Sequence, residues 1–164
     1  MSLLAFALAL AAAAQDAPAR SADAEILSLF DAVCVRGGDA PAGFQPVEWS
    51  SFPAELRFMN TYGHGGTFLR AETGGRVVYI ARTAGPGHDS LAAGEQRCGV
   101  AIRGANFSRL LRAIGDQLRT RPIEISLGGM RNVVFPAEQG ALSVSEAEGG
   151  WIIVRAYGIS MRAN

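Results

Sequence analysis

Two cysteines set the strongest condition on how this chain can fold. Cys34 and Cys98 are the only ones among 164 residues. Cys34 closes a segment in which Ile26, Leu27, Phe30 and Val33 recur at helical spacing, so it belongs to the apolar stripe of an amphipathic helix. Cys98 alternates with Val100 and Ile102, the period of a strand that buries one face. Both thiols should therefore point inward. If they are bonded, closing a loop of roughly 65 residues would stabilise the fold by about 4 kcal/mol in the chain-entropy model. No CxxC spacing is present, so a thioredoxin-type redox site has no support. Two buried free thiols are the alternative, and the compartment decides between them.

The compartment is written at the start of the chain. Residues 3–14 read LLAFALALAAAA. This apolar run is too short to span a bilayer, which takes about 20 residues. It fits the apolar region of a secretory signal, with Ala12 and Ala14 as an A-x-A cleavage site, although Met1-Ser2 supplies no basic side chain. The expected organisation is a signal peptide over 1–14, a loose leader over 15–20 and a single domain over 21–164. No cysteine follows the apolar run directly, so no lipid-attachment site is expected, and the mature protein should be soluble and periplasmic or secreted. In that oxidising setting an even pair of cysteines reads as a disulfide.

The remaining pattern is mixed. Ser21 or Asp23 can cap the first helix, and Gly37-Gly38 ends it. Asp39–Glu48 holds two prolines and reads as loop. A short second helix is expected from Pro53 to Asn60. Thr67–Glu72 and Arg76–Arg82 are strands joined by Gly74-Gly75, with hairpin spacing. After a long loop comes a strand over Gln96–Arg103. Asn106 then caps a helix over Phe107–Leu118, with Phe107, Leu110, Leu111, Ile114 and Leu118 on one side. Met130–Phe135, Ala141–Ser145 and Trp151–Tyr157 complete the strands. Leu142 and Val144 alternate with Ser143 and Ser145, a half-exposed pattern. Trp151–Tyr157 is apolar on both faces and reads as a central strand or one exposing an aromatic edge. The expected class is α+β: an antiparallel sheet with two or three helices packed on one face and one disulfide.

Phe30-Asp31-Ala32-Val33-Cys34 at a helix end, with Cys98-Gly99-Val100-Ala101-Ile102 ahead of the Asn106-Phe107 helix, resembles small secreted proteins of alphaproteobacteria. That resemblance implies export and a Cys–Cys pair. It carries no activity and no catalytic residues.

Composition excludes more than it assigns. All 15 basic residues are Arg and 15 acidic residues balance them. Without Lys there is no Schiff-base lysine, no P-loop lysine and no kinase strand lysine. Zero formal charge argues against nucleic acid, whose binding rests on neutralised phosphates. The densest basic group, Arg103, Arg109, Arg112, Arg119 and Arg121, has Asp116 inside it and reads as a solvated helix face. Chemistry can concentrate in two Gly-rich loops. His64 lies in Gly63-His64-Gly65-Gly66, and His88 is followed by Asp89 and Ser90. The first loop has the look of an esterase oxyanion loop, but no G-x-S-x-G elbow exists, and HExxH is absent. Trp49, Phe52, Phe58 and Tyr62 gather around the short second helix, as core or as a partner surface.

The expected function is a non-enzymatic periplasmic binding or interaction protein, without cofactor or metal, whose partner is an envelope protein or a small ligand. The alternative is a small hydrolase or metal-dependent enzyme built on His64, His88, Asp89 and Ser90. Export makes one direct prediction: mass spectrometry of the protein recovered from the periplasm should show a chain beginning at Gln15, and an intact Met1 would exclude cleavage.

Overall fold

Ser21 opens the first helix because its hydroxyl accepts the Ala24 amide at 3.2 Å, satisfying a donor that the first turn leaves without a partner. Helix α1, Ala22–Phe30, then runs into a π-helical turn over Asp31–Val35. Helix α2, Phe107–Leu118, starts in the same way: the Asn106 side chain accepts the Arg109 amide at 2.9 Å. The computed structural model describes residues 21–59, 66–83, 97–127, 130–137 and 140–157. The expected signal peptide, the leader and the long loop between the second and third expected strands lie outside them.

The strands are β1 (Gln45–Pro46), β2 (Gly66–Thr73), β3 (Arg76–Thr83), β4 (Arg97–Arg103), β5 (Ile123–Leu127), β6 (Met130–Ala137), β7 (Gly140–Ala147) and β8 (Trp151–Tyr157). They form one antiparallel sheet in the order β1-β2-β3-β4-β8-β7-β6-β5. The topology repeats: a helix followed by a four-stranded meander, twice. The last strand of each meander, β4 and β8, meet at the centre with Val100 opposite Val154. Trp151–Tyr157 is thus a central strand.

Strand alternation divides the core in two. On one face, Ile26, Phe30 and Val33 of α1 and its π-turn pack with Phe107, Leu110 and Ile114 of α2 on Val78, Ile80, Val100, Ile102, Val144 and Val154. Full burial of each such side chain contributes about 1.5–3 kcal/mol. Cys34 and Cys98 join this layer through a disulfide, with Cα atoms 5.3 Å apart. Beside the bond, Arg82 lies opposite Cys98 in the sheet and donates to the carbonyl of Val33 at 2.6 Å and to that of Gly38. A guanidinium thus satisfies carbonyls at the end of the first helix, where the helix dipole favours a cation. Burial pushes the Arg82 pKa below its usual range, and the charge of Asp39 opposes that shift.

On the other face, 3₁₀ turns at Trp49–Ser51 and Ala54–Met59 press Phe52, Leu56 and Met59 onto Phe68, Tyr79, Ala101, Trp151 and Ile153. The short second helix therefore exists as a tighter 3₁₀ segment, and it does not join α1 and α2 on their face. Three further expectations need correction. Gln45–Pro46, within the expected loop, pairs with Leu69 and Arg70 as β1. Ile123–Leu127, assigned to no element from sequence, is β5. Ser143 and Ser145 are fully buried where the pattern suggested exposure. The sheet is thus richer in strands than expected, and helical segments cover both faces.

Closing a loop of this length stabilises the folded state by about 4 kcal/mol in the chain-entropy model. Replacing both cysteines, Cys34→Ala with Cys98→Ala, should lower unfolding stability by about that much in a denaturant titration. Two alkylatable thiols in the wild-type periplasmic protein would refute the bond.

Candidate functional site

Strand β8 sends Trp151, Ile153, Arg155 and Tyr157 to the face opposite α1 and α2. Arg155 is the exception in an apolar strand at the middle of the sheet, and it is only 7% exposed. Its lateral neighbours are Gly99 on β4 and Ser143 on β7. Small residues on both sides leave the long side chain room to lie along the sheet. A Cβ added at Gly99 would stand 2.9 Å from Arg155 Cγ and 3.0 Å from Met59 Cε.

The guanidinium sits over the rings of Phe58 and Tyr157, 4.8 Å from each centroid. Its Nη1 donates to the Phe58 carbonyl at 2.9 Å. Its Nε is buried and makes no hydrogen bond. The ion pairs among the described residues do not include Arg155. Burial pushes its pKa below the usual arginine range; Tyr157 opposes that shift, and the charge of Arg97 adds to it. Arg97 packs over the same tyrosine, 5.8 Å from the ring centroid. Tyr157, Phe58 and Arg97 are each half-buried, so Arg155 lies one layer beneath the surface. Around it the Ser143 hydroxyl donates to the Tyr157 hydroxyl at 3.4 Å, and Ser145 donates to Asn132 Oδ1 at 2.7 Å.

A buried charge ordinarily meets a counter-charge, because desolvation costs several kcal/mol per ion and only pairing or hydrogen bonding offsets it. Arg155 has aromatic faces and one carbonyl. Completing the fork of donors that Nε leaves open would take a carboxylate or phosphate oxygen.

Two concavities lie elsewhere on the described surface. A cleft of about 280 Å³ between α1 and the β2–β3 turn contains Glu25 and Arg76. Its carboxylate already accepts from Thr73 and lies 3.7 Å from Arg76. A groove of about 180 Å³ between the two helices is lined mainly by Leu27, Phe30, Val35, Ile114, Leu118 and Leu142.

Of the candidates named from sequence, Cys34 and Cys98 are brought together. His64, His88, Asp89 and Ser90 lie outside the described residues, as does Tyr62. Phe52 is buried, and Trp49 and Phe58 are half-buried. Phe52 stacks on Trp49 at 5.9 Å and meets Phe68 at 5.1 Å and Tyr79 at 5.2 Å, so Phe52 is core packing. No group of three His, Cys, Asp or Glu residues among those described could hold a metal ion. Arg155 was missed, though a signal existed: a lone arginine inside Trp151-Ile152-Ile153-Val154-Arg155-Ala156-Tyr157.

Comparison with protein-family models, curated proteins and solved structures finds no match for this chain.

The close fit at Gly99 makes the site testable as packing. Gly99→Val should displace Arg155 and Met59 and lower stability by about 2 kcal/mol, the usual scale for overpacking. An unchanged denaturation midpoint would show that the layer yields freely.

Proposed function

We propose that this chain is an exported, disulfide-braced binding protein that recognises an anionic group through Arg155. One observation carries the reading: a guanidinium buried at the centre of the sheet with no carboxylate beside it among the described residues. Stacking on Phe58 and Tyr157 holds the planar cation in one orientation, which suits two-oxygen contact with a carboxylate. Export rests on the apolar segment 3–14 and on the bond between the two cysteines, which suits an oxidising compartment. The ligand is the carboxylate of a small molecule or of a partner protein in the periplasm.

Arg155→Met separates binding from support. Methionine keeps an unbranched apolar stem and removes a charge that is expensive to bury. If Arg155 serves a ligand, the variant should be as stable as wild type or more stable, because an apolar replacement of a buried ion is often neutral or stabilising by about 1–4 kcal/mol. Calorimetric titration with succinate, citrate, inorganic phosphate and a peptide bearing a free C-terminal carboxylate should give heat with wild type and none with the variant. A variant destabilised by more than about 2 kcal/mol, on a scale where leaving a buried group unsatisfied costs about 1–3 kcal/mol, together with no response of wild type to any probe, would make Arg155 a strut for the Phe58 carbonyl and end the proposal.

A further inference from the structure

The two ends of the sheet are unlike. At one end β1 is two residues long and one of them is Pro46, which cannot donate to a neighbouring strand. That edge is blunted in the way soluble proteins blunt edges. At the other end β5 is a five-residue strand, Ile-Glu-Ile-Ser-Leu, that pairs with β6 and, among the described residues, with nothing on its outer side. Ile123 is 54% exposed and Ile125 39%, two of the three exposed large apolar side chains among the described residues. Both stand on the face that carries Arg155, opposite Val134 and Asn132 of β6. A regular edge with an apolar flank is a template for another strand.

We infer that β5 pairs with β5 of a second copy of this chain, antiparallel about a twofold axis through Ile125. Self-complementarity selects this occupant and this register. Residues directly opposite in an antiparallel pair share a face, and a twofold axis perpendicular to the sheet keeps each face on its own side. Only axes that pass through a residue satisfy both conditions. An axis through Glu124 would set that carboxylate against its own copy, which is destabilising. An axis through Ser126 would leave Ile123 and Glu124 beyond the paired strand. An axis through Ile125 pairs all five positions: Ile125 with itself, Ile123 with Leu127, and Glu124 with Ser126. Glu124 keeps its ion pair with Arg131, 2.9 Å, within its own chain. The exposed isoleucines of both copies then form one apolar stripe. Such pairing is closed, because it uses up β5 in each copy and leaves β1 at both outer ends.

A pair of five-residue strands buries less than the roughly 1,200 Å² of a stable standard interface, so the dimer should come apart on dilution. Sedimentation velocity of the mature, disulfide-intact protein over a broad concentration range should show mass rising from one chain to two. Ile125→Lys should weaken association at least ten-fold, since like charges then meet across the axis, while leaving the unfolding midpoint unchanged. Ile123→Lys should weaken it less, because position 123 does not meet its own copy. A wild type that stays monomeric, a dimer indifferent to both substitutions, or an open-ended polymer would overturn the pairing; so would the reverse order of the two variants. Hydrogen exchange provides a check independent of either variant: amides of 123–127 should gain protection as wild-type concentration rises, and protection independent of concentration would count against the inference.

Discussion

The covalent bond between Cys34 and Cys98 joins the end of the first helix to a strand at the centre of the sheet, and much of the arrangement follows from where it lands. With the helix end held there, Phe30 and Val33 pack in one core layer with Val78 and Val100. Arg82, directly across from Cys98, is placed to satisfy the carbonyls that the ending helix leaves open. The π-helical turn over Asp31–Val35 belongs to the same junction: both Val33 and Cys34 are buried within it. Helix α2 is tied to the opposite, N-terminal end of α1 through Asp23, which accepts the Asn106 amide at 2.5 Å and pairs with Arg109 at 2.7 Å.

The sheet is built from two similar halves but covered unequally. In the first half, the connection between β1 and β2 is long enough to fold back as 3₁₀ turns and cover the face opposite the helices. In the second half, the corresponding connection between β5 and β6 is only two residues long, and no such cover can form from it. Among the described residues, the boundary of the 3₁₀ cover runs along β8. Arg155 sits on that boundary, stacked on Phe58 from the cover and on Tyr157 from the sheet. The exposed isoleucines of β5 lie at the far end of the same face. Asymmetry laid over repeated topology thus accounts for both a charged site at the centre and an apolar edge at the rim.

Local patterns were legible where one physical signal dominated. Asn106 and the Phe107–Ile114 stripe marked α2 because a capping side chain and a helical period coincide. Gly74-Gly75, both with positive φ, marked the β2–β3 turn because that backbone region favours glycine. Strand β5 was passed over although Ile123, Ile125 and Leu127 alternate, since five residues between Pro122 and a Gly pair give a weak period. Ser143 and Ser145 misled because alternation reports polarity and not depth: on β7, between β6 and β8, both faces are covered and the hydroxyls find partners in Tyr157 and Asn132. Arg155 stayed hidden for the same reason. An arginine among apolar residues reads as the solvent side of a strand until the neighbours across the sheet are known.

By itself the sequence determined the α+β class, the span of α2, the hairpin, the inward orientation of both cysteines and the absence of every lysine-dependent chemistry. These follow from spacing and composition, which act locally. Only the tertiary structure decided that β4 and β8 meet at the centre, that the 3₁₀ segment covers the face away from the helices, and that Arg155 is buried without a carboxylate beside it among the described residues. Those are consequences of contacts between segments distant in sequence, where the free energy depends on which surfaces meet and not on the order in which residues follow one another.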